Sequence, residues 1–68
     1  MVNTEALKNA VSKSGLKMSA IAKKMGIDRA TLYRKSRNVT DFSVSEIETF
    51  CRVVGVTTKA EKAEIFLP

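Results

Sequence analysis

The sequence predicts an all-α domain of four to five helices, and three observations carry that prediction. Apolar residues recur at spacings of three and four along the chain. Residues suited to capping helix N-termini precede these sets, and a glycine or asparagine follows most of them. No segment shows the strict alternation or the β-branched runs that a half-buried strand requires.

The first helix is predicted over Thr4–Ser14: Asn3 or Thr4 caps it, Ala6, Leu7, Ala10 and Val11 form its apolar face, and Gly15 ends it in a left-handed conformation. The second is short, with Met18, Ile21, Ala22 and Met25 on one face and Gly26 directly after. The third begins after Asp28, a good N-cap, and runs from Arg29 to Arg37, with no breaker before Asn38. The fourth opens on the capping box Ser43-Val44-Ser45-Glu46, carries the stripe Val44, Ile47, Phe50, Cys51 and Val54, and stops at Gly55. A last short helix follows Thr58-Lys59-Ala60-Glu61, a second box pattern ahead of Ala63, Ile65 and Phe66, and its end is expected to fray.

Size bounds what such a chain can do. Its 68 residues allow one domain, residues 1–68, and a chain this short buries only about 60% of its unfolded surface, so a large substrate cavity is not expected. No apolar run approaches the roughly 18 residues that span a bilayer, and the first residues lack the basic and apolar regions of a secretory signal. The expected location is the cytoplasm, with no membrane contact. Cys51 is the single cysteine, so it has no intrachain partner, and its neighbours Ile47, Phe50 and Val54 predict a small buried apolar group. With no histidine and no phosphate-cradling glycine loop, the chain is not expected to be an enzyme, and it lacks the ligands of a zinc site. Glu46, Glu48, Glu61 and Glu64 fall on helix surfaces or caps by pattern. No cofactor, metal or small-molecule ligand is expected.

Charge points to a polyanion. Twelve Lys and Arg stand against seven Asp and Glu, leaving +5. Between Lys13 and Arg37 eight basic residues face a single acid, Asp28, and beyond Arg37 the balance turns acidic. Within this basic half, Met18 to Arg37 reads as two helices and a tight corner. Ala22 is small where two helices cross closely, and Gly26 supplies the positive φ of a short turn. At 100° per residue, Arg29, Ala30, Tyr33, Arg34 and Arg37 share an arc of about 140°, while Leu32 points away.

The words IAKKMGI (Ile21–Ile27) and DRATLYRK (Asp28–Lys35), followed by FSVSEI (Phe42–Ile47), resemble the helix-turn-helix domains of the Cro and phage-repressor superfamily, the Xre or lambda-repressor-like family. About Leu7 to Val56 can be laid on its pattern. The resemblance implies a compact domain whose second and third predicted helices form the helix-turn-helix, acting on a double-stranded DNA operator. Three departures matter. Lys17 and Met18 stand where family members often have Thr and Gln, so Lys17 and Ser19 are the expected phosphate contacts there. Lys35 occupies a position that usually carries an apolar residue, and its stem is expected to lie along the core with the ammonium in water. Arg37-Asn38 replaces Asn-Gly after the third helix, where Asn is the next best residue for the left-handed position.

In a major groove, Arg29 near the helix start is the first candidate base reader, because a guanidinium gives two hydrogen bonds to guanine O6 and N7. Ala30 and the Tyr33 ring are candidates for a thymine methyl, and Arg34 for a base or a phosphate. Arg37 and Asn38, at the far end, are candidate phosphate contacts. Two functions compete: a transcriptional regulator of the Cro or repressor type, of phage or prophage origin and binding as a homodimer, and a protein-interaction module such as an antitoxin or antirepressor. The apolar end Ile65-Phe66-Leu67 has two possible uses, a dimer contact or packing onto the first helix.

Overall fold

The computed structural model describes all 68 residues and contains five helices and no strand: α1 (Thr4–Ser14), α2 (Met18–Met25), α3 (Arg29–Ser36), α4 (Val44–Val54) and α5 (Lys59–Phe66). The ends of the helices follow from local chemistry. Asn3 caps α1 through its side chain, which accepts from the Ala6 amide at 3.1 Å. Asp28 does the same for Thr31 at 3.0 Å, and Ser43 for Glu46 at 3.2 Å, with the Glu46 carboxylate reaching back to the Ser43 amide at 2.8 Å. Thr58 makes only half of the second box: it accepts from the Glu61 amide, but its hydroxyl, not its amide, donates to the Glu61 carboxylate. Lys17 precedes α2 with no side-chain cap.

α4 packs against α2 and α1, α3 against α2, and α5 against α1. Their shared interior is built on Leu7, Ile21, Leu32 and Phe50, all essentially inaccessible. Phe42, Phe50 and Phe66 form a mutual cluster with ring centroids 5.3 to 5.9 Å apart in tilted and edge-on contact, the geometry aromatic quadrupoles favour. Cys51 is buried as expected, and burial pushes its thiol above the usual range. The apolar C-terminal segment divides: Ile65 belongs to the core, Phe66 to the aromatic cluster, and Leu67 stays 79% exposed.

Two features differ from the sequence expectation. The Lys35 ammonium is not left to water. It donates to the Asp41 carbonyl oxygen at 2.8 Å and pairs with Glu46 Oε1 at 3.1 Å, with only 13% of the side chain exposed. The last turn of α3 is thereby braced to the capping box of α4. The other is Asn38, whose carboxamide accepts from the Val2 amide at 2.7 Å and donates to the Val2 carbonyl at 3.0 Å. The Asn3 amide in turn donates to the Ile65 carbonyl at 2.8 Å. The chain's first residues thus strap α5 to the end of α3.

The brace carries a pH dependence. Hydrogen bonding from the Ser43 amide, helped by Lys35, holds the Glu46 carboxyl below the usual glutamate range, and Thr31, through its side chain and amide, does the same for Asp28. Both carboxyls therefore bind protons more readily in the unfolded chain. Their contribution to stability is complete above about pH 5 and is lost as the pH falls through the lowered folded values. In thermal melts across an acid series, Glu46→Gln is expected to flatten this decline. An unchanged decline in the variant would place its source elsewhere.

Candidate nucleic-acid interface

The corner between α2 and α3 is set by Gly26, at φ +76°. Its amide donates to the Lys23 carbonyl at 3.1 Å and the Ile27 amide to the Ala22 carbonyl at 3.0 Å, the paired bonds of a helix ending in a left-handed residue. A side chain at Gly26 would meet no neighbour, so the backbone conformation, not space, selects glycine. Ile27 and Asp28 then complete the turn, and Asp28 caps the next helix. Ala22, 1% exposed, lies in the core with Ile21 and Leu32.

The buried residues of α3 are Leu32 and Ser36. Ser36 satisfies its hydroxyl by donating to the Tyr33 carbonyl at 2.7 Å. The opposite face carries Arg29, Ala30, Tyr33, Arg34 and Arg37, every one exposed, and Lys17 and Ser19 are exposed at the start of α2. The predicted arc thus stands together on one outward surface. Arg34 Nη2 lies 3.5 Å from Thr31 Oγ1, a weak tether, and its charge adds to the lowering of the Asp28 carboxyl. Arg37 donates from Nη1 to Tyr33 Oη at 2.8 Å, with its guanidinium carbon 5.4 Å from the ring centroid.

α3 ends one residue before the predicted limit. Arg37 is its C-cap, and Asn38 takes the left-handed position at φ +64°, with the Val39 amide returning to the Arg34 carbonyl at 2.9 Å. Asn38 stands apart from the other expected phosphate contacts, because its carboxamide is engaged with Val2 at both ends. What the sequence reading missed is the Lys35 brace, which seats the helix from behind. A basic residue where an apolar one is usual was the available signal.

The exposed face is cationic apart from its Asp28 cap, it lies on one helix held outward by a rigid corner, and its donors suit phosphate and base-edge acceptors. A family model described as the Cro/C1-type HTH DNA-binding domain matches residues 6–59. No curated protein and no solved structure matches the chain. No helix is long and apolar enough to cross a membrane. On the match over residues 6–59 and the corner that those residues build, the chain belongs to the Cro/C1-type helix-turn-helix DNA-binding domain family.

Proposed function

We propose that this chain is a transcriptional regulator of the Cro or repressor type, from a phage or prophage, that occupies a promoter operator with α3 in the major groove. The observation that carries the reading is the single exposed arc on α3, cationic at Arg29, Arg34 and Arg37 and backed by the Leu32 anchor. Arg29, in the first turn, is the principal base reader, with Ala30 beside it for a thymine methyl and Arg34 for a base or a phosphate. Lys17 and Ser19 hold the backbone at the start of α2, and Arg37 holds it at the far end of α3. The working form is a homodimer on a near-palindromic site, which sets half-sites about 34 Å apart on one face of the duplex.

Selection of bound sites from a random duplex pool tests the reading. A palindromic preference is expected, with affinity falling steeply in salt, the log–log slope being about −0.9 per phosphate neutralised. On the selected site, Arg29→Ala is expected to cost about 1–3 kcal/mol and to relax preference at one base position, whereas Arg37→Ala weakens all sequences alike. No enrichment of any sequence, or a flat salt response, would reject the proposal and turn attention to a protein partner.

A further inference from the structure

Leu7, 2% exposed, fixes the roll of α1 as Leu32 fixes that of α3, and between these helices lies a shallow groove away from the α2–α3 corner. Leu7, Val11 and Met18 supply its apolar lining, Lys8, Tyr33 and Arg37 stand among its polar residues with two serines, and no acidic residue lines it. Tyr33, 49% exposed, has its ring partly covered at the edge of this groove.

The Arg37 guanidinium, one turn on, donates to the Tyr33 hydroxyl oxygen at 2.8 Å. That oxygen therefore accepts from a cation, and its own hydrogen is left to donate outward. Arg37 keeps further N–H groups, and Lys8 adds an ammonium from the other helix. Most of the groove's surface is apolar, but at its Tyr33 edge the guanidinium sits beside the hydroxyl, so this edge presents donors. A phosphate oxygen calls for donors with no competing acid, and Tyr33, Arg37 and Lys8 supply them along this groove.

We propose that Tyr33, Arg37 and Lys8 form an anchor for one DNA backbone phosphate on the α1 flank of the recognition helix, so that Tyr33 sets the register of binding and does not read a base. The anchor rests on the DNA-binding reading above. It adds a residue of α1 to the interface and moves Tyr33 from base recognition to positioning.

The test is equilibrium binding of the full chain to a duplex of about 20 base pairs recovered by selection, and to an unrelated duplex of equal length, over a potassium chloride series. Tyr33→Phe keeps the ring and removes the hydroxyl. It is expected to weaken both duplexes by the same factor, roughly three- to tenfold, with base preference unchanged. Its loss is expected not to add to that of Arg37→Ala, since the two side chains act as a unit. Lys8→Ala, with Arg37 still on the same phosphate, is expected to weaken both duplexes alike, and the Lys8→Ala Arg37→Ala pair to reduce the salt slope by about 0.9. Thermal melts of each variant separate a lost contact from a lost fold. Parental affinity in Tyr33→Phe or in Lys8→Ala, the parental slope in the Lys8→Ala Arg37→Ala pair, or a changed preference at one base pair when Tyr33 is replaced would overturn the anchor while DNA binding stands. A parent chain that binds neither duplex overturns the proposed function and the anchor together.

Discussion

Leu32→Ala is expected to lower unfolding free energy by about 2–5 kcal/mol and to abolish duplex binding at temperatures where the parent still binds. Leu32 is fully buried and is the sole large apolar side chain by which α3 enters the core, so nothing adjacent on that helix can close the space it leaves. A domain of this size holds only about 3–10 kcal/mol in all, and the variant would spend much of that margin. Urea denaturation monitored by circular dichroism gives the stability loss, and binding measured at low temperature, where the variant is still folded, shows how far a loosened α3 weakens recognition. A cost below about 1 kcal/mol would mean that α3 is seated mainly by the Lys35 brace and the corner.

Asn38→Ala carries the second large expected effect, about 2–5 kcal/mol. Two hydrogen bonds to Val2 are lost, each worth roughly 0.5–1.5 kcal/mol, and alanine at positive φ costs about 1–2 kcal/mol more. Asn38→Gly keeps the left-handed backbone and loses only the bonds, so it is expected to recover part of the loss. Equal stability of the two variants would remove backbone conformation from the account. If Asn38→Ala instead left stability intact and weakened DNA binding, Asn38 would return to the phosphate-contacting role read from its position in the chain.

The helix ends were legible in the sequence because they are set within a few residues: Asp28, Ser43 and Gly26 each act on a neighbour three or four positions away. The exposed arc was legible for a related reason, since a single anchor, Leu32, determines the roll of a short helix. Long-range polar pairing was not. Asn38 meets Val2 across 36 positions, and what it meets is backbone, which every residue has in common. Lys35 likewise finds a backbone carbonyl at Asp41, and its ion pair reuses a glutamate already assigned to a cap. The Tyr33–Arg37 contact spans one helical turn and was within reach of the sequence, yet reading the two residues as independent contacts concealed it.

Tying Val2 to the end of α3 and Asn3 to Ile65 also bears on how the domain comes apart. Terminal residues ordinarily fray first, but here the Val2 amide is held by Asn38 and the Asn3 amide by Ile65, so opening the first residues means parting from both the Asn38 corner and the α5 end. These three regions are expected to open as one cooperative unit, their amides sharing one protection class in hydrogen exchange; separate protection of the far end of α3 would count against it.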